Sequence, residues 1–261
     1  MKKETYTITL LTDFGLQDGY VGIMKGVIAR ISPSRIIDIS HAIDAGEIQE
    51  AAFVLNYSFR YFPFGTVHVV IVDPGVGSDR RALAVQTENY YFVAPDNGVL
   101  SSVLKTEKTI RVVSCENMKF FLPEISHTFH GRDIFSPVAA HIANGVPLTN
   151  FGPEISDPIT LKGHEAIVAE EQTTGKIIHI DRFGNLVTNV PAHALKKQIE
   201  QISLNHVKIK NLAKTYSDAV ADEPIAFIGS HGYLEISVKN ANAAKLLKIE
   251  KGTTVKVSFA K

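Results

Sequence analysis

The sequence has a single cysteine, no tryptophan and no surplus of either charge: 27 Lys and Arg residues balance 27 Asp and Glu residues in 261 positions. Each shortage excludes something. Cys115 alone cannot close an internal disulfide and has no CxxC or Cys/His spacing around it, so it reads as a buried small hydrophobe in a reducing compartment. Zero net charge and a pI near 7.2 give no basic footprint for nucleic acid. No apolar run approaches the ~20 residues that spanning a bilayer takes. No apolar segment follows Lys2 and Lys3 as a signal peptide would require. HExxH, GxSxG and Walker A patterns are missing, as is any convincing metal-ligand spacing, which disfavours zinc hydrolases, serine hydrolases and P-loop enzymes. The expectation is a soluble, cytoplasmic protein with no metal, nucleic-acid or membrane partner.

What is present is ordinary for a globular chain, 45% hydrophobic and 21% charged, and long enough for one large or two modest domains. Residues 6–12 alternate as a strand. Residues 18–31 carry apolar side chains at helical spacing, with Asp18 as the expected N-cap and Pro33 closing the element. A strand at 35–39, a helix at 46–62 and a continuous apolar strand at 66–72 follow. This βαβαβ order predicts a mainly parallel sheet in an α/β layer. After Gly77 come short strands at 82–87 and 89–94, a turn at Pro95-Asp96-Asn97-Gly98 and a helix at 133–145. The Pro-rich stretch 146–163 reads as an interdomain linker. Strands at 174–190, 206–210, 224–228, 232–238 and 253–259, with one helix near 240–248, predict a smaller, mainly β domain. The expected division is an N-terminal α/β domain over 1–160 and a C-terminal β-barrel-like domain over 172–261.

Four polar clusters interrupt these apolar elements at their ends. Thr12-Asp13-Phe14-Gly15 closes the first strand, where ligands of open α/β sheets sit; a carboxylate there can accept both hydroxyls of a ribose. Asp73-Pro74-Gly75-Val76-Gly77-Ser78-Asp79-Arg80-Arg81 closes the third, and Arg80 and Arg81 must point to opposite faces. Phe129-His130-Gly131-Arg132-Asp133 leads into a helix, with His127 competing with His130 for any role. In the C-terminal half stand Asp181-Arg182-Phe183-Gly184-Asn185 and Gly229-Ser230-His231-Gly232, either of which is also compatible with a plain hairpin turn.

Taken in order, TDFG, DPGVGSDRR, APDNG, FHGRD, DRFGNLVTN and GSHGYLEI resemble the S-adenosyl-L-methionine (SAM) hydroxide adenosyltransferases, relatives of the SAM-dependent fluorinase and chlorinase. The resemblance implies a trimer with SAM bound between neighbouring subunits and no cofactor, SAM being the substrate and adenosine and L-methionine the products. It places the water-activating set on Asp73, Arg80 and His130 and the ribose carboxylate on Asp13. Asp181 and Asn185 match positions that contact the methionine moiety and the nucleoside, Ser230 one near the methionine carboxylate, and Phe129 and Tyr216 serve as adenosine-packing aromatics. The halogenases carry an arginine after the Ser230 position; this chain has His231, which leaves the neutralisation of that carboxylate open. The chemistry agrees: a sulfonium departs as a neutral thioether, so the missing ingredient is a nucleophile rather than an acid. The alternatives are a halide-dependent 5′-halo-adenosine synthase, disfavoured because Asp73 would repel an anion, and a non-catalytic SAM or adenosine sensor. A phosphate-binding nucleotide enzyme built on DPGVG lacks the lysine.

Overall fold

The computed structural model describes residues 6–163, 165–195, 197–218 and 223–260; Lys2 and Lys3 lie outside them. The chain divides into two compact units, Met1–Leu161 and Lys162–Lys261.

The first unit runs β1 (Thr7–Thr12), α1 (Tyr20–Ile31), β2 (Arg35–Ser40), α2 (Ile48–Ser58), β3 (Val67–Ile71), β4 (Ala82–Thr87), β5 (Tyr91–Pro95), α3 (Ser101–Thr106), β6 (Thr109–Ser114) and α4 (Ser136–Ala143). The sheet order is β2-β1-β3-β5-β4-β6. Strands β2, β1, β3 and β5 are parallel, and only β4 runs against its neighbours. All of β3 is buried, as a strand covered on both faces must be. Against it pack Met24 and Ile28 of α1 and Val138, Ala139 and Ile142 of α4. Each fully buried Leu or Ile side chain contributes roughly 1.5–3 kcal/mol, so a sheet of this size holds without a disulfide. Cys115 is buried in that core, which pushes its thiol up to about 12, Glu116 adding to the effect.

Several details differ from the sequence expectation. Helix α1 is capped by Gly19, not Asp18: the Gly19 carbonyl accepts from Ile23, and no side chain caps the end. In this unit two elements were not expected, α3 and β6; in the second unit the strands Ile167–Val168 and Ile199–Leu204 were not expected, and the strand expected over 174–190 is two, Gln172–Ile180 and Leu186–Pro191. The helix expected over 133–145 opens with a π-helical turn at Gly131–Phe135 before α4 begins. There Gly131 accepts both the backbone N–H and the hydroxyl of Ser136, five residues on; such widened turns cluster at functional sites. Most of the expected linker is part of the first unit. Leu148 and Phe151 are buried in its core, Pro153 accepts from Ser114, and Ile159 and Leu161 donate to Asp96 and Ser101.

The second unit is antiparallel: β7 (Ile167–Val168), β8 (Gln172–Ile180), β9 (Leu186–Pro191), β10 (Ile199–Leu204), β11 (Val207–Ile209), β12 (Pro224–Ile228), β13 (Tyr233–Val238), α5 (Ala243–Leu247) and β14 (Thr254–Phe259). Its order is β11-β10-β14-β8-β9-β13-β12, with β7 on β8. Strand β8 pairs with β14 along its first half and with β9 along its second, so the sheet curls. A bridge between Leu212 and Ala226 draws the two ends together. The result is a nearly closed barrel around Ile177, Leu186, Ile202, Leu234, Ile236 and Val257.

Candidate active site

In the first unit the polar clusters meet at the carboxyl ends of β1 and β3, outside the sheet, where an open α/β fold leaves its crevice. A cleft of about 500 Å³ opens there, lined among others by Asp13, Phe14, Tyr20, Asp73, Phe129 and His130.

The loop after β3 turns tightly, with Val76 and Ser78 donating back to Asp73 and Gly75. Gly77 has φ +80°, and a Cβ there would lie 2.3 Å from the His127 carbonyl oxygen. Only glycine lets this loop seat against the one that carries His130. The Asp73 and Arg80 side chains are 5% and 9% exposed. Arg80 Nε donates to both oxygens of Asp73 at 3.0 and 2.9 Å, Nη2 reaches Oδ2 at 2.6 Å, and the guanidinium lies over the Phe135 ring at 5.0 Å. That fork fixes the cation in plane and orientation. Arg81 turns the other way, to Asp96 and Asp157.

Arg80 Nη2 stands 2.8 Å from His130 Nδ1. A guanidinium can only donate, so Nδ1 offers its lone pair and the ring proton sits on Nε2. Burial first, then the charge of Arg80, lower the His130 pKa; Asp73, Asp133 and a hydrogen bond with the Ser126 backbone oppose them without prevailing. The imidazole is therefore a neutral, oriented base beside a fixed cation. His127 is exposed and is not among the residues that line the cleft, whereas His130 is.

Asp13 accepts from the Gly46 backbone and faces the cleft. Phe129 is buried, its ring edge-on to Phe14 at 5.9 Å and to Tyr20 at 5.1 Å. Sequence reasoning marks neither partner as a cleft residue: Tyr20 falls in the helical apolar spacing of residues 18–31, yet it is 47% exposed and lines the cleft.

In the second unit Asp181, Asn185 and Tyr216 come together. Asp181 Oδ1 accepts from the Phe183 and Asn185 backbones, and Oδ2 from Asn185 Nδ2 at 2.8 Å. Asn185 Nδ2 also reaches the Tyr216 hydroxyl at 3.1 Å. Asn185 and Tyr216 line a cleft of about 710 Å³ with Phe183 and the segment Val238–Asn242. Ser230 is exposed in the β12–β13 turn and is not among those lining residues. Phe183 is 78% exposed and Glu235 is buried; sequence reasoning singles out neither. Among the described residues no cluster of three or more His, Cys, Asp or Glu side chains is placed to hold a metal ion, and no helix is long and apolar enough to cross a membrane.

Comparison with known proteins adds three findings. Residues 8–152 match the family model of the SAM hydroxide adenosyltransferase N-terminal domain and 175–256 that of the C-terminal domain. The chain is 33% identical to the (R)-S-adenosyl-L-methionine hydrolase of Salinispora arenicola, over 96% of this chain and 97% of that protein, and 35% identical to the enzyme of the same name from Methanocaldococcus jannaschii, over 93% and 92%. A solved structure of an uncharacterized conserved protein from Thermotoga maritima superposes with a TM-score of 0.90 at 36% identity, covering 97% of this chain and 100% of that one.

Proposed function

Because this chain belongs to the SAM hydroxide adenosyltransferase family, we propose that it hydrolyses SAM at the ribose C5′, releasing adenosine and L-methionine. The observation that carries the reading is the Asp73–Arg80–His130 chain at the cleft: a carboxylate-held cation whose free edge faces a basic ring nitrogen. A water that takes its place as the 2.8 Å Nη2–Nδ1 contact opens would accept from Arg80 and donate to His130. As its oxygen bonds to C5′, the C5′–S pair passes to sulfur, which leaves as the thioether of methionine, and the proton goes to Nδ1. Asp73 neither gives nor takes a proton; it orients Arg80. The relatives' names support this reading and extend it to the (R) sulfonium.

In the same reading Asp13 holds the ribose diol, Phe129 packs on adenosine, and Asp181, Asn185, Tyr216 and Ser230 serve the methionine and nucleoside ends. The active form is a cytoplasmic homotrimer, with each SAM shared between neighbouring subunits. Incubation with SAM in ¹⁸O-water tests the reaction: adenosine labelled at its 5′ oxygen is expected, and methylthioadenosine, S-adenosylhomocysteine or no turnover overturns the reading.

Two further results are expected. Asp13→Ala weakens SAM and adenosine together, and 2′-deoxyadenosine less than adenosine; equal losses in calorimetric titrations would show that Asp13 does not read the diol. The acid limb of kcat/KM should fall below the ordinary histidine value of 6.5, because burial and Arg80 keep His130 unprotonated to lower pH. Activity is then flat through neutrality and lost as pH drops through the lowered pKa. A limb centred at or above 6.5 would remove His130 as the base.

A further inference from the structure

The side chains proposed to meet the nucleoside and the methionine carboxylate lie on separate segments of the second unit, the 216–218 turn and the β12–β13 turn. A single group on β13 joins them. Glu235 is 5% exposed. Its Oε1 accepts from the Tyr216 hydroxyl at 2.5 Å and its Oε2 from His231 Nε2 at 3.0 Å. Burial alone would raise the Glu235 pKa, but the hydrogen bonds from His231, Tyr216 and Ser237 outweigh it and hold the carboxyl below its ordinary value.

The neighbourhood is built for this pairing. A Cβ on Gly229 would lie 2.4 Å from Glu235 Oε2 and 2.5 Å from His231 Nε2, so any side chain there would displace the pair. His231 Nδ1 accepts the Tyr233 backbone N–H, which places the ring proton on Nε2, against Glu235. With Nδ1 taken by an amide and Nε2 by a carboxylate, this histidine does not stand in for the arginine of the halogenases as a carboxylate-binding cation. It instead fixes the turn that carries Ser230. On the other side Tyr216 passes the constraint to Asn185 and from there to Asp181. An ionised carboxylate is costly to bury, and an apolar side chain of similar volume would fill the same buried place at less cost; what Glu235 adds is direction.

We propose that Glu235 is a positioning residue for the substrate: one buried carboxylate that sets the Tyr216–Asn185 arm and the Ser230 turn in register with each other. The proposal rests on the SAM-hydrolase reading. It acts on binding groups and not on the water, so its signature is in KM.

Tyr216→Phe removes the hydroxyl while the ring keeps its packing on Phe227, and Glu235→Gln puts an amide N–H against that of His231. Each should raise KM for SAM and Kd for adenosine on the order of tenfold, the worth of one charge-assisted hydrogen bond, with kcat changed far less. The double variant should lose less than the product of the two, because both cut one linkage. Unmoved KM and Kd in Tyr216→Phe, multiplicative losses, or effects confined to melting temperature would each overturn the proposal, and the Tyr216 variant decides it even if Glu235→Gln does not fold. A parental protein that turns over SAM with these results negative fails Glu235 alone; one that neither turns over SAM nor binds adenosine fails the hydrolase reading with it.

Discussion

His130→Ala is expected to lower kcat on the order of 10²–10⁴-fold, the usual contribution of a positioned proton acceptor, while KM for SAM stays within a few-fold. Nδ1 is the basic atom turned to Arg80, and removing it leaves bulk water to take the proton. In the proposed mechanism it meets the nucleophile and not the substrate, so ground-state binding should survive. Arg80 calls for a gentler change. Arg80→Ala would strand Asp73, only 5% exposed, as an unpaired buried charge, and losing one partner of such a pair costs about 3–5 kcal/mol of stability. Arg80→Lys keeps the charge but not the fork: one ammonium cannot reproduce the contacts to both Asp73 oxygens and to His130. Its kcat should fall by a similar order while the protein still melts cooperatively. Steady-state kinetics with a melting curve for each variant separate the cases. A His130→Ala enzyme turning over at the parental rate would discard the assigned base and turn attention to His127.

The parts of this site legible in the sequence are those where a polar cluster breaks an apolar strand. TDFG and DPGVGSDRR stand out because β1 alternates Thr with Ile and Leu and β3 is nearly all Val and Ile, so that an Asp at their ends has no packing reason to be there. The opposite facing of Arg80 and Arg81 followed from backbone geometry alone. The contact between Arg80 and His130 did not, because it depends on Gly77 interlocking two loops about 50 residues apart, and nothing local encodes it. Helix α3 and strand β6 escaped because each is six residues long and bounded by turn-forming residues, too short for a period to declare itself. Asp18 was a sound cap by composition, yet the helix begins beyond it. Glu235 was hidden by its setting: in YLEISV an acidic residue reads as the solvent-facing member of an alternating strand. Its side chain points away from the core members Leu234 and Ile236 and is buried all the same, and the groups that hydrogen-bond it, Tyr216 and His231, lie outside β13.

Two inactive variants mixed together should regain activity if SAM is shared between subunits. His130→Ala abolishes the water-activating set and leaves Asp181 and Asn185 intact. Asp181→Ala does the reverse: its carboxylate organises the 181–185 turn through the Phe183 and Asn185 backbones and the Asn185 side chain, so its loss misplaces Asn185. In a cyclic trimer assembled at random from equal amounts of the two chains, about a quarter of the interfaces join an intact N-terminal set from one subunit to an intact C-terminal set from its neighbour. Co-refolded or co-expressed mixtures should therefore recover up to about a quarter of parental turnover per site, against a background lowered by orders of magnitude. The recovered fraction should follow the mixing ratio and peak at equal amounts, since an intact site needs one chain of each kind. If one subunit supplied both sets, every site in every mixture would carry a lesion and no ratio would restore turnover. A mixture shown by native mass spectrometry to contain mixed trimers, yet as inactive as its components, would end the shared-site proposal while leaving the chemistry assigned to Asp73, Arg80 and His130 untouched.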